Sequence, residues 1–170
     1  MSGVIYAVDP GKSSGVAIAT YDVTVDEDLF VTDVIQVTYP VNELVECLVK
    51  DVRKELEMGL HDTVHVVTER YVVRMGSKFQ PDLTPVKFQA ALDYALADLA
   101  NDPCLILSTQ LPSQAKALVT NDALKRLGYY LTGKDVGQPD ADDARDALRH
   151  LVYYGVKTLR LKDLGKRLAA

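Results

Sequence analysis

Residues 4–20, VIYAVDPGKSSGVAIAT, contain two apolar runs separated by a short polar turn. The runs cover Val4–Asp9 and Gly15–Tyr21, and Pro10-Gly11 interrupts the chain between them. Apolar runs on either side of a Pro-Gly turn are typical of a β-hairpin. The first run ends on a carboxylate, which is costly at the end of a buried strand unless it is paired, hydrogen-bonded or metal-bound. The stretch therefore predicts a hairpin and makes Asp9 a candidate site residue.

Strands and helices alternate along the rest of the chain. The predicted strands after the hairpin are Leu29–Tyr39, Thr63–Glu69 and Cys104–Ser108. The predicted helices are Val41–Leu56 with a stop at Gly59, Phe88–Leu99, one beginning at Pro112, one capped by Asp122 and running to Leu131, Ala144–Val152, and Leu161–Leu168. A polar loop is expected from Arg70 to Pro85. This order predicts an α/β fold in which helices pack on a mixed sheet.

Three further acids are candidates for the same site as Asp9. Glu69 also ends an apolar run, and Asp143 and Asp146 are three residues apart on the last long helix, beside its apolar stripe. Asp142 is turned outward by the helical repeat. Taken singly, each acid is more often a solvated strand end or a helix N-terminal residue. Together the four candidate acids predict a site for hard cations such as Mg²⁺ or Mn²⁺.

Four blocks of the sequence resemble those of the RuvC Holliday-junction resolvases, in the family's order over residues 3–155. VIYAVDPGKSSGVAIA resembles the family's opening hairpin, and VVTERYV resembles its glutamate-bearing strand. TQLPSQAKALV resembles its Pro-Ser-Gln-x-Lys segment, and DADDARDALRHLV resembles its final helix. The resemblance implies an RNase H-like fold, with a mixed five-stranded sheet and helices on both faces. It also implies an endonuclease that cuts branched DNA.

The resemblance assigns roles to individual residues. The catalytic and metal-binding acids fall on Asp9, Glu69, Asp143 and Asp146, with two Mg²⁺ or Mn²⁺ ions in the site. Two such ions held about 3.5–4 Å apart can activate water and stabilise the leaving oxygen of a phosphodiester. The family's working unit is a homodimer that nicks two opposing strands. The predicted helix Phe88–Leu99 is a candidate for the dimer interface, with packing inside the domain as the alternative.

The candidate DNA-binding residues are Arg70, Tyr71, Arg74, Lys78 and Lys116. Lys116 matches the lysine of the family's Pro-Ser-Gln-x-Lys segment. Tyr71 is interpreted as the aromatic residue of a junction-contacting loop, or as a core residue. The loop after Glu69 departs from the family's loop, so three-way and flap structures are expected substrates as well. His150 is expected to be a surface or half-buried structural histidine, with orientation of a ligand residue or approach to a phosphate as the alternatives.

The charge distribution leaves room for DNA on one side of the molecule. The net charge is −5, which by itself argues against a nucleic-acid partner. Before residue 69 there are 4 basic and 12 acidic residues, whereas from residue 69 onward there are 15 basic and 12 acidic residues. Cations bound by the candidate acids would raise the local potential further. The balance therefore tolerates a DNA ligand without indicating one.

Length and composition predict a single domain, residues 1–170, in the cytoplasm. The apolar start is too short for a signal peptide, and no apolar stretch is long enough to span a bilayer. Cys47 and Cys104 lack metal-site spacing and are expected to be reduced core residues. The alternatives to a junction resolvase are a broader branched-DNA or flap nuclease, a nucleotide-binding member of the RNase H-like superfamily, and an inactive DNA-binding module.

Overall fold

One mixed sheet organises the part of the chain that the computed structural model describes, residues 1–70 and 83–170. Its strands are β1 (Ser2–Asp9), β2 (Ser14–Asp22), β3 (Asp26–Val37), β4 (Thr63–Glu69) and β5 (Leu105–Gln110). Their order in the sheet is β3-β2-β1-β4-β5. β2 is antiparallel to β1 and β3, whereas β4 is parallel to both β1 and β5. The predicted mixed five-stranded sheet is confirmed.

Helices cover both faces of this sheet. They are α1 (Val41–Met58), α2 (Thr84–Ala95), α3 (Pro112–Leu118), α4 (Asn121–Leu127), α5 (Gly133–Val136), α6 (Asp142–Lys157) and α7 (Lys162–Ala169). A 3₁₀ turn, Ala97–Leu99, follows α2. α1 and α2 pack on one face, and α4, α6 and α7 pack on the other. The prediction of helices on both faces is also confirmed.

β1 lies at the centre of the sheet and is buried on both sides. Its alternate residues point to opposite faces. Val4, Tyr6 and Val8 pack with α1 and α2, while Ile5 and Ala7 pack with the core beneath α6. A strand covered on both faces reads as an unbroken apolar run, which is why the sequence shows no polar alternation here.

His65 joins three elements on the α6 side of the sheet. Its side chain is buried, and its Nε2 lies 2.8 Å from the hydroxyl of Tyr21 and 3.0 Å from that of Thr63. Its Nδ1 lies 3.0 Å from the hydroxyl of Tyr154 on α6. Burial lowers the pKa of His65 to about 4. The neutral imidazole therefore links β2, β4 and α6 by hydrogen bonds within the core.

The elements around residue 122 differ from the prediction. Thr120, and not Asp122, caps α4, because the Thr120 hydroxyl accepts a hydrogen bond from the backbone N–H of Ala123. The helix ends at Leu127, where Gly128 adopts the left-handed conformation. A separate short helix, α5, then covers Gly133–Val136, and no pattern in the sequence predicted it.

Two further expectations concern the cysteines and the loop from Arg70 to Pro85. The prediction that both cysteines are core residues is wrong, because Cys47 is exposed and Cys104 is half-buried; both are free. Most of the loop lies outside the described residues, and α2 begins at Thr84. Within the described chain, none of the helices combines the length and apolarity needed to cross a membrane.

Candidate active site

Three parallel strands end side by side at one edge of the sheet. β1 ends at Asp9, β4 at Glu69 and β5 at Gln110. Val8 is paired with Thr68, so the two acids follow neighbouring positions of adjacent strands. Asp9 and Glu69 lie close enough that each shifts the pKa of the other. The carboxyl ends of parallel strands are a common ligand site in open α/β sheets.

The start of α6 packs on this edge and brings the other two acids to it. The helix approaches β2 so closely that a side-chain Cβ at Gly15 would overlap the backbone of Asp143. Burial raises the pKa of Asp143, and Ser13, in the turn of the hairpin, lies close enough to its carboxyl group to act in the opposite direction. Asp146 interacts electrostatically with Asp9. Asp142 points to solvent, as predicted.

A glutamine from β3 caps α6. The N-cap residue of the helix is Ala141, which has no side-chain acceptor. The Oε1 of Gln36 accepts a hydrogen bond from the backbone N–H of Ala144 at 3.1 Å. Its Nε2 lies 3.3 Å from both the backbone oxygen and the Oδ1 of Asp140. Because Gln36 is buried, this contact ties the first turn of α6 to the sheet.

The two strand-end acids are protonated unequally. Burial, followed by repulsion from Glu69 and Asp146, raises the pKa of Asp9 to about 8. Burial also acts to raise the pKa of Glu69, but hydrogen bonds with His150 and Asp9 outweigh it and hold that pKa below its usual value. At neutral pH Asp9 therefore keeps its proton while Glu69 is ionised. This pattern indicates crowded carboxylates with too little positive charge around them.

Asp146 is neutralised by two basic side chains. The Nζ of Lys116 lies 2.7 Å from its Oδ2, and Arg149 forms an ion pair with its Oδ1. The guanidinium of Arg149 also donates to the backbone oxygen of Val119 and to the side chain of Asn121. An open cleft of about 430 Å³ adjoins these groups. Lys116, predicted to contact DNA, thus lies among the candidate acids.

The four candidate acids have the donor chemistry that Mg²⁺ and Mn²⁺ prefer. The raised pKa of Asp9 marks a deficit of positive charge that a cation would fill. Among the described residues, however, no three His, Cys, Asp or Glu side chains are arranged so that they could hold one metal ion. Asp146 faces Lys116, and Glu69 faces His150. The donors fit a divalent cation in kind and charge, but coordination by three of them requires other side-chain rotamers.

The remaining DNA-binding candidates are only partly covered by the structure. Arg70 is exposed directly after β4, and its backbone N–H donates to the oxygen of Gln110 at 2.7 Å. Three candidates lie outside the described residues: Tyr71, Arg74 and Lys78. Of the five, the structure therefore positions Arg70 and Lys116 at the sheet edge.

Two buried residues at this edge were not predicted as site residues. His150 is 1% exposed, so the expectation of a surface or half-buried histidine is wrong. Its Nε2 lies 3.3 Å from Glu69 Oε2, which agrees with the alternative that it orients a ligand residue. The sequence signal was its position one turn after Asp146. Gln110, on the other side of the imidazole, gave no signal because its location depends on the β4–β5 register.

Comparison with known proteins identifies the fold. No protein-family model matches the chain, and no curated protein has a significantly similar sequence. The structure of Thermus thermophilus RuvC in complex with a Holliday junction substrate matches with a TM-score of 0.52 and 16% identity, covering 91% of this chain and 96% of that chain. Another Thermus thermophilus RuvC structure matches with a TM-score of 0.51 and 16% identity, over 89% and 94% of the two chains.

A eukaryotic protein has the same fold. The yeast mitochondrial Holliday junction resolvase matches with a TM-score of 0.57 and 13% identity, covering 97% of this chain and 82% of that chain. At such identities the likeness shows the fold and not the activity. The chain has a RuvC-like, RNase H-like fold, as the sequence resemblance implied.

Proposed function

We propose that this protein is a metal-dependent endonuclease that cleaves branched DNA and resolves Holliday junctions by paired nicks. The observation that carries the proposal is the half-buried pair of Asp9 and Glu69, which lie side by side at the ends of β1 and β4 and shift each other's pKa. Asp143 and Asp146 add two further carboxylates from α6. Burying carboxylates beside one another opposes folding. Such groups with shifted pKa values are concentrated at functional sites.

Asp9, Glu69, Asp143 and Asp146 would together hold Mg²⁺ or Mn²⁺. Two bound ions would supply an activated water and stabilise the leaving oxygen of the phosphodiester. Glu69 is already ionised, whereas Asp9 would release its proton on becoming a ligand. Lys116 forms an ion pair with Asp146. Freed from that ion pair, its ammonium group would contact a phosphate oxygen of the DNA.

DNA would be held mainly through its backbone. Arg70 and Lys116 flank the candidate acids, and Tyr71, Arg74 and Lys78 follow in the chain. Phosphate contacts position a duplex without reading its sequence. Each contact that is removed should reduce the slope of log affinity against log salt by about 0.9. Lys116→Ala should therefore weaken binding to four-way, three-way and flap substrates by the same factor.

A homodimer would supply the second active site that paired nicks require. The residues Phe88, Leu92 and Leu96 are core residues in this structure and are not available for an interface. The other side of α2 is exposed and carries Val86 and Tyr94, of which Tyr94 is 86% exposed. We propose this outer face of α2 as the dimer contact, because large apolar side chains on a surface favour association.

The test is cleavage of synthetic four-way, three-way, flap and linear duplex DNA of the same arm sequences, with Mg²⁺, Mn²⁺ or EDTA. Metal-dependent nicking of branched DNA that spares the linear duplex is the expected result. Symmetric nicks in opposing strands of the four-way junction would establish resolution.

Other outcomes would redirect the assignment. Equal rates on flap and four-way DNA would favour the broader branched-DNA nuclease. Junction binding without cleavage under any metal condition would favour the inactive DNA-binding module. Saturable ATP binding together with failure to bind DNA would favour the nucleotide-binding alternative.

A further inference from the structure

The side chain of His150 contacts Glu69 through one ring nitrogen and Gln110 through the other, and the proposed function uses neither contact. His150 lies on α6, one turn after Asp146. Its Nε2 is 3.3 Å from Glu69 Oε2, and its Nδ1 is 3.0 Å from Gln110 Oε1. Both His150 and Gln110 are buried, with 1% and 7% of their surfaces exposed. Three elements, β4, β5 and α6, thus converge on one imidazole ring.

The pairing register of β4 and β5 places Glu69 and Gln110 side by side, where both can reach the ring of His150. Glu69 and Gln110 are paired as the last residues of β4 and β5. α6 crosses the sheet on this side, and its residue one turn beyond Asp146 reaches the ends of both strands. A histidine at this position therefore has only two polar side chains to meet among the described contacts, one from each strand.

The hydrogen-bond roles follow from counting donors. A neutral imidazole has one N–H, yet both of its nitrogens face oxygen atoms as the Gln110 amide is oriented here. The Nε2 of Gln110 is buried without a partner among the described residues. The oxygen and nitrogen of an amide are assigned from their surroundings, and a half-turn of this amide exchanges them. The amide nitrogen of Gln110 then donates a hydrogen bond to Nδ1 of His150, and the N–H at Nε2 of His150 donates a hydrogen bond to the carboxylate of Glu69.

We propose that His150, held by Gln110, is a positioning residue that fixes the carboxylate of Glu69 for binding a divalent cation. The inference rests on the proposed function, because it assigns a partner to one of its metal-binding acids. One oxygen of Glu69 accepts the hydrogen bond from His150, which leaves the other oxygen for the cation. Partners that orient ligand side chains typically contribute a 10- to 100-fold effect on metal affinity or activity, so about tenfold or more is expected here.

The test compares His150→Leu with His150→Gln. Leucine fills the space without a hydrogen-bond donor, whereas the amide nitrogen of glutamine reaches the position of imidazole Nε2. Mn²⁺ affinity is measured by calorimetry without DNA, and the Mg²⁺ concentration for half-maximal cleavage is measured with junction DNA. His150→Leu should weaken both by about tenfold or more. His150→Gln should restore most of the loss, and junction binding in EDTA should be the same for all variants.

A second buried histidine provides the matched control. His65 lies in the same core, contacts Tyr154 of α6 and is near the opposite ends of the strands. His65→Leu should lower the melting temperature and leave Mn²⁺ affinity unchanged. If His150→Leu does not fold, Gln110→Leu replaces it, because it removes the support of the imidazole from β5 and should weaken Mn²⁺ binding as well.

Two results would overturn the inference while leaving the proposed function intact. One is wild-type Mn²⁺ affinity in His150→Leu or Gln110→Leu. The other is an equal loss in His150→Leu and His150→Gln, which would show that packing and not the donor matters. Failure of the wild-type protein to bind Mn²⁺ and to cleave any branched DNA would instead refute the proposed function.

Discussion

Replacing Asp9 with asparagine removes a carboxyl group that the fold keeps protonated up to a pH of about 8. In the unfolded chain the same group ionises near pH 4. The folded pKa is the higher one, so the carboxyl group's contribution to stability is fully present below pH 4 and is lost as the pH rises from 4 to 8. Asp9→Asn should therefore be more stable than the wild type at pH 8 in EDTA, by at least about 2 kcal/mol.

Urea unfolding at pH 5 and pH 8 measures this difference. The gap between the two proteins should widen with pH, and saturating Mn²⁺ should narrow it, because a cation should bind more tightly to the protein that keeps all four carboxylates and so stabilise it more. An asparagine variant that is less stable than the wild type at pH 8 would contradict the assignment of Asp9.

Cleavage assays distinguish the proposed metal-binding acids from Asp142, which lies next to them on α6. Asp9→Asn, Glu69→Gln and Asp146→Asn should each abolish cleavage or lower its rate by about 100-fold or more, since removing one charge-stabilising group commonly costs that much. Junction binding should remain. Asp142→Asn is the control, because its carboxylate is exposed and pairs with Arg145. Normal nicking by one of the three variants would remove that acid from the site.

Among single residues, the sequence indicated candidate site acids because burying a carboxylate is energetically costly. Asp9 and Glu69 stood out because each ends an apolar run, and both lie at the same sheet edge. His150 did not stand out, because a histidine on a helix flank is compatible with many environments. Its contact depends on Gln110, which is 40 residues away in sequence. Contacts of that kind follow from the packed structure and not from local pattern.

Among the secondary-structure elements, helix α6 depends on an N-terminal cap that Gln36 of strand β3 provides. Gln36→Leu keeps the side-chain volume but removes the acceptor for the Ala144 N–H. Loss of an N-cap interaction typically costs about 1 kcal/mol. We expect that loss of stability in urea unfolding, together with slower cleavage, because the first turn of α6 carries Asp143. Thr132→Ala, which removes the hydroxyl that donates to Asp135 at the start of α5, should cost similar stability without slowing cleavage.

The link that His65 makes between β2, β4 and α6 predicts sensitivity to acid. Its pKa is about 4 in the folded protein, below the usual value near 6.5, because of burial. The lower folded pKa means that its stabilising contribution is present above pH 6.5 and is lost as the pH falls from 6.5 to 4. His65→Gln should flatten the fall in melting temperature across that range. An unchanged profile would show that other groups dominate.

Local signals predicted the existence of elements better than their ends. The Pro-Gly turn and Gly59 marked true boundaries, since they restrict or permit particular backbone angles. Near residue 122 the sequence predicted Asp122 as the cap, whereas the hydrogen bond of the Ala123 N–H goes to Thr120, two residues earlier. The sheet order could not be read from the sequence, because β1 and β4 pair across about 60 residues.

At the level of the whole molecule, a substitution on the exposed face of α2 tests the proposed dimer. Tyr94→Glu places a charge at a position that is 86% exposed and outside the core. It should convert a dimer to a monomer in sedimentation experiments and abolish paired nicking, while leaving the melting temperature of the monomer unchanged. Tyr39→Glu, at an exposed tyrosine elsewhere, is the control. Wild-type protein that sediments as a monomer and still resolves junctions would refute the dimer.

The parallel pairing of β1 with β4 has a consequence for synthesis. The hairpin of β1 and β2 can form as soon as it leaves the ribosome, but β4 joins β1 only after a long loop closes, and such pairings form slowly. Asp143 and Asp146 come later still in the chain. An unfinished chain therefore has an intact Asp9 but no assembled site. During refolding, Mn²⁺ binding should return with the slowest phase, because the proposed site needs residues from β1, β4 and α6 together.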